Sequence, residues 1–127
     1  MIDHISIAVR DLAACARFYQ AVLGALGFSR LVERPGTVGF GKKYPEFWLN
    51  ERRAMTPVDA DSGTHICLRA PDMAAVDAFH AAARQAGGVS DGAPGARPEY
   101  SAGYYAAFVR DPEGNRIEAV TFVTARA

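Results

Sequence analysis

The chain has little cysteine, a single tryptophan and no surplus of either charge. Two cysteines in 127 residues cannot supply a disulfide framework, so Cys15 and Cys67 read as small buried hydrophobes. Fourteen Lys and Arg balance fourteen Asp and Glu, and no basic run occurs. Both facts argue against nucleic acid or an anionic membrane as partner. No apolar stretch approaches the ~18 residues of a membrane span. Asp3 and His4 arrive directly after Met1-Ile2, where a secretory leader needs its basic and apolar regions. A cytoplasmic location is the expectation. Half of the residues are apolar, enough at this length for the core of one domain.

What is present is a repeat. His4–Phe28 matches His65–Val89, 61 positions on, at 9 of 25 positions, including His4/His65, Asp11/Asp72, Phe18/Phe79 and Gly27/Gly88. Similarity at that spacing predicts one supersecondary unit built twice. In the first copy, Ile2–Val9 alternates with the period of a half-buried strand. Ile5, Ile7 and Val9 lie on one face, His4, Ser6 and Ala8 on the other. Asp11 is a candidate N-cap for a helix in which Cys15, Phe18, Tyr19, Val22 and Leu26 recur at helical spacing, with Gly27 as its stop. Further strands are predicted over Ser29–Glu33, Thr37–Gly41 and Glu46–Asn50, the last two joined by the turn Lys42–Pro45.

The second copy repeats this order. His65–Arg69 is a predicted strand, and Asp72 caps a helix carrying Val76, Phe79, Ala83 and Ala86 that ends at Gly87 and Gly88. Tyr104–Val109 and Arg116–Phe122 are strands around the turn-rich Asp111–Asn115. Glu51–Gly63 is the expected linker, and Ser90–Gly103, with Pro94, Gly95 and Pro98, reads as a long loop. The predicted fold class is α+β, in a single domain of 1–127. Two βαβββ modules, about 1–52 and about 64–124, curl into an eight-stranded mixed sheet, a cup with the helices outside.

Pairing across the Asp111–Asn115 turn sets Val109 opposite Ile117 and Phe108 opposite Glu118. Tyr104, Ala106, Phe108, Arg116, Glu118 and Val120 then share one face. A carboxylate on a strand between Ile117 and Ala119 needs a partner, because burying it alone is costly. A metal bound by His4 and His65 would supply one. Two imidazoles and a carboxylate with open positions suit Fe(II), and equally Mn(II), Zn(II) or Ni(II). The competing reading has both histidines in structural hydrogen bonds and Glu118 paired with Arg116 or Arg10. His80, at the place of Tyr19 in the second helix, lacks a spacing motif and reads as helix surface.

The pattern His4-Ile5-x-Ile7-x-Val9-x-Asp11-Leu12, followed by Phe18-Tyr19 and Leu26-Gly27, resembles the vicinal oxygen chelate superfamily. So do Gly63-Thr64-His65-Ile66 and the closing run Phe108–Glu118. That group includes glyoxalase I, extradiol dioxygenases, fosfomycin-resistance transferases and bleomycin-resistance proteins. The resemblance spans essentially the whole chain and implies paired modules, a small-molecule substrate and frequent homodimers. It also implies a metal site drawn from the first and last strands of each module, with His4, His65 and Glu118 matching three of four ligand positions. The modules pair within one chain or swap between two. At the fourth position glyoxalase I has a glutamate, whereas here Trp48 stands there and Glu46 lies two residues before it.

The resemblance therefore implies a metal-dependent lyase, dioxygenase or transferase acting on neighbouring substrate oxygens, and true glyoxalase I chemistry lacks its base. Ser6, Trp48, Tyr104 and Phe108 are the candidate substrate contacts; no catalytic residue is assigned. The alternative is a metal-free module that sequesters a drug or metabolite, as bleomycin-resistance proteins do. Those tend to be acidic, and this chain is neutral.

Overall fold

The computed structural model describes residues 1–123; the expected end of the second module, near 124, lies outside them. The first module runs β1 (Ile5–Val9), α1 (Leu12–Ala25), β2 (Ser29–Arg34), β3 (Thr37–Gly41) and β4 (Phe47–Glu51). The second runs β5 (His65–Arg69), α2 (Met73–Gln85), β6 (Val89–Ala96), β7 (Tyr104–Arg110) and β8 (Arg116–Phe122). Each module is one four-stranded sheet, ordered β1-β4-β3-β2 or β5-β8-β7-β6, with the first and last strands parallel and the others antiparallel.

Local chemistry explains the elements. The Asp11 carboxylate accepts the Ala14 N–H at 3.1 Å, and Asp72 accepts that of Ala75 at 2.8 Å, so both helices start on side-chain caps. Gly27 and Gly87 hold φ of 90° and 100° and turn the chain out of each helix. Cys15, Phe18, Tyr19, Val22 and Leu23 of α1 are buried with Val76, Phe79 and Ala83 of α2. These meet Phe40, Phe47, Leu49, Val109 and Ile117 from the two sheets in one core.

The eight strands form two sheets rather than one continuous cup. α1 packs against α2, and among the described residues no strand of one sheet pairs with a strand of the other. β1 and β5 would have to join for closure, yet each is an edge strand. Each sheet thus carries its helix on one face and leaves the opposite face open.

A polar clamp locks the modules together at the turn after β7. Tyr19 of α1 donates its hydroxyl to Asp111 Oδ2 at 2.6 Å. Arg10 donates its backbone N–H to Glu113 Oε2 at 2.8 Å and its Nε–H to Oε1 at 2.7 Å. Burial would raise the Glu113 pKa, but these bonds outweigh it and hold the carboxyl below its ordinary 4.5. A depressed carboxyl pKa stabilises the fold above the unfolded-state value and loses that contribution as pH falls through the folded one. Glu113→Gln is therefore expected to show a shallower loss of stability than wild type below about pH 4.5. Urea unfolding at a series of acidic pH values checks this, and parallel curves would refute it.

Four expectations are corrected here. The segment Ser90–Gly103 contains most of β6, whose alternation is hidden by Gly92, Pro94 and Gly95 at two breaks of register against β7. The first strand begins at Ile5, whose N–H reaches the Glu46 carbonyl, so His4 stands before it rather than in it. His80 is buried, with Nε2 2.7 Å from the Ser90 hydroxyl; burial and nearby Arg84 lower its pKa. Cys15 is buried as expected but Cys67 is not, because it points from edge strand β5 to the open face.

Candidate functional site

The open face of the second sheet holds the cluster. Along β5, Ile66 and Leu68 pack into the core while His65, Cys67 and Arg69 point the other way. On β8, Glu118 is the register partner of Cys67, and on β7 Phe108 is the register partner of Glu118. Val109 lies opposite Ile117, as the hairpin reading required. A cavity of about 460 Å³ opens here, lined by His65, Glu118, Tyr104, Phe108, Tyr100, Arg116 and Asp91 among others. That volume suits a small organic molecule.

Glu118 is only 2% exposed, and its two oxygens face different partners. His65 Nε2 lies 3.2 Å from Oε1, and the Tyr104 hydroxyl donates to Oε2. Neither Arg116 nor Arg10 pairs with it: Arg10 is committed to Glu113, and Arg116 donates to the Ala60 carbonyl at 2.6 Å. Burial, then the bond to Glu118, raises the Tyr104 phenol above its ordinary value. Although the Cys67 side chain is exposed as a whole, partial desolvation of its sulfur on the sheet face and the adjacent Glu118 push the thiol up to about 12, so it is protonated at neutral pH.

The other candidates gather on the open face of the first sheet. Ser6 is level with Trp48 across β1 and β4. The Trp48 indole covers Gly39, where a Cβ would fall 2.9 Å from the ring, and the Arg34 guanidinium lies 5.9 Å from the ring centre. His4 is exposed, its Nδ1 2.6 Å from Asp3 Oδ2. His4, Ser6 and Trp48 are thus one group, and His65, Glu118, Tyr104 and Phe108 another. Among the described residues no three His, Cys, Asp or Glu side chains converge as a metal site. An imidazole and a nearly buried carboxylate aimed at one point do fit two of the donors of a divalent ion.

Sequence reasoning missed Arg116, Asp91 and Tyr100 as cavity residues. Arg116 was legible, since it sits two positions before Glu118 on one strand and so shares its face. Asp91 and Tyr100 were not, because they fall in the segment whose strand was hidden.

Comparison with known proteins identifies the family of the fold. A family model described as the Glyoxalase/Bleomycin resistance protein/Dioxygenase superfamily matches residues 1–119. The chain belongs to that superfamily. A crystal structure of a glyoxalase/bleomycin resistance protein from Albidiferax ferrireducens T118 is 30% identical, with a TM-score of 0.82 over 93% of this chain and 96% of that one. A glyoxalase/bleomycin resistance protein/dioxygenase family enzyme from Burkholderia phytofirmans PsJN is 22% identical, with a TM-score of 0.71 over 94% and 96%. Lactoylglutathione lyase from Agrobacterium tumefaciens is 24% identical, with a TM-score of 0.65 over 94% and 92%. At those two identities the likeness shows the superfamily fold alone. No protein of curated function matches. Among the described residues no helix is long and apolar enough to cross a membrane.

Proposed function

We propose that the chain is a divalent-metal-dependent enzyme of the glyoxalase/dioxygenase type, acting on a small substrate with two neighbouring oxygens. The observation that carries this is the 3.2 Å approach of His65 Nε2 to the nearly buried Glu118 carboxylate on the wall of a ligand-sized cavity. His65 and Glu118 would hold the ion, and a divalent ion there would act as a Lewis acid on the substrate oxygens. Tyr100, Tyr104 and Phe108 line one side and offer aromatic surface to the substrate. Trp48 in place of a fourth ligand favours three-ligand chemistry over that of glyoxalase I.

The third donor, His4, comes from a second copy in this reading. Each open sheet face is half a site, and β1 and β5 are free edges. Joining them between two copies in a homodimer would bring His4 of each to His65 and Glu118 of the other. Ser6 and Trp48 would then face the same cavity.

Metal analysis of protein purified without chelator tests the site. Wild type is expected to hold about one ion per chain and His65→Ala next to none, since a missing ligand leaves an incomplete site. Mixing His4→Ala with His65→Ala chains, each empty alone, is expected to restore about a quarter of the wild-type content, because half of the exchanged dimers then hold one intact site. Equal metal in wild type and His65→Ala would refute the metal reading; no recovery on mixing would refute the shared site. One observation favours the second reading, a metal-free binding module. Tyr104 and His65 already satisfy the Glu118 oxygens. Wild type without metal that still binds a small ligand in this cavity would establish it.

A further inference from the structure

The cavity holds a cation that no carboxylate among the described residues answers. Arg116 is level with His65 across β5 and β8, about 5 Å away by strand spacing. It shares the face of Glu118 two residues on. Its guanidinium has five N–H donors, and the structure gives it one partner, the Ala60 carbonyl at 2.6 Å. It forms no ion pair among the described residues. That carbonyl anchors the side chain beside the cavity without neutralising it. The other lining carboxylate, Asp91, has its own counter-ion, with Arg110 Nε 3.6 Å from Oδ1. A second guanidinium, that of Arg97, lies 5.3 Å from the centre of the Phe108 ring and, among the described residues, donates to the Ala93 and Ala96 carbonyls alone.

From this we infer that the cavity takes a flat, singly charged anion: an aromatic carboxylate with a second oxygen beside the carboxyl group, its charge held by Arg116. The aromatic body follows from the wall of Tyr100, Tyr104 and Phe108, in which Tyr100 and Tyr104 meet edge to face at 5.2 Å. A planar guanidinium fork matches the two oxygens of a carboxylate. The separation of Arg116 from Glu118 is about two residues along a strand, near 7 Å, so the charged group and the oxygens nearest Glu118 belong to one small molecule. The inference rests on the metal reading for the role of the second oxygen but not for the anion. With a divalent ion at Glu118, Arg116 adds a further positive charge, and a neutral or cationic ligand would leave that excess uncompensated.

The test is titration of salicylate and its uncharged amide into wild type, Arg116→Gln and Arg116→Lys, each with Zn(II) and after chelator treatment. Wild type is expected to prefer salicylate, and Arg116→Gln to reduce that preference about tenfold or more, the size of one lost charge-assisted pair. Arg116→Lys keeps the charge without the fork and is expected to fall between. Zn(II) content should be unchanged in both variants. An unchanged preference in Arg116→Gln, or no salicylate binding by wild type, overturns the inference. So does tighter binding of phenylphosphonate than of salicylate, which would indicate a doubly charged group. Glu46 occupies the place in the first module that Arg116 holds in the second. If Arg116→Gln and Glu46→Gln loosen a dimer equally and leave the salicylate preference alone, Arg116 is an interface residue and the inference also fails. Loss of preference in Arg116→Gln together with no Zn(II) in wild type sinks the metal reading and leaves this one standing.

Discussion

Replacing Asp111 with alanine is expected to lower the unfolding free energy by roughly 3–5 kcal/mol, through several buried groups left without partners. The carboxylate is 3% exposed and accepts four hydrogen bonds. The Glu113 and Asn115 backbone N–H groups reach Oδ1 at 2.9 and 2.8 Å; the Tyr19 hydroxyl and the Asn115 amide reach Oδ2 at 2.6 and 2.9 Å. Truncation strands the fully buried Tyr19 hydroxyl and loosens the turn that presents Glu113 to Arg10. A domain of this size has only about 5–15 kcal/mol in hand, so the variant should unfold at far lower urea than wild type. Tyr19→Phe is the contrast. It removes a donor and leaves Asp111 with three, so about 1 kcal/mol is expected. Urea unfolding of the three proteins checks the ranking, and a wild-type-like midpoint for Asp111→Ala would show that the clamp does not hold the modules.

The second large effect is expected at Glu118. In the metal reading, Glu118→Ala should weaken Zn(II) binding by more than about a hundredfold, beyond what loss of an outer partner typically does. Tyr104→Phe removes only the hydroxyl that donates to Oε2 and should change affinity by about tenfold or less. Competition with a chelating dye measures both. A Glu118→Ala variant that binds Zn(II) as wild type does would remove the carboxylate from the site. Tyr104→Phe also tests the metal-free reading, in which that hydroxyl, rather than an ion, satisfies Glu118 Oε2.

Much of the fold was legible because local and global signals agree in this chain. Asp11 and Asp72 cap the helices they precede, and the turn after Val109 sets the Phe108–Glu118 register that the structure shows. β6 was illegible because Gly92, Pro94 and Gly95 break a period of two that the backbone nonetheless follows in pieces. The candidate site was legible by halves. His65 and Glu118 stand out from the repeat and the hairpin, and they meet because β5 and β8 pair within one module. Whether His4 joins them depends on how the modules face each other, and α1 and α2 decide that through contacts with no motif. The Tyr19–Asp111 and Arg10–Glu113 bonds were hidden for the same reason: they link residues 92 and 103 positions apart, beyond any periodicity.

The contact of Trp48 with Gly39 constrains how this chain could change. The indole fills the space that any side chain at 39 would need, with ring atoms 2.9 Å from where a Cβ would lie. A glutamate at 48 would leave the glycine strand uncovered, and a larger residue at 39 cannot enter while the indole remains. Neither step is easy alone, so the two positions form one heritable unit. Mutational paths to or from a carboxylate at 48 should run through paired changes, with Gly39 as the silent half of each pair.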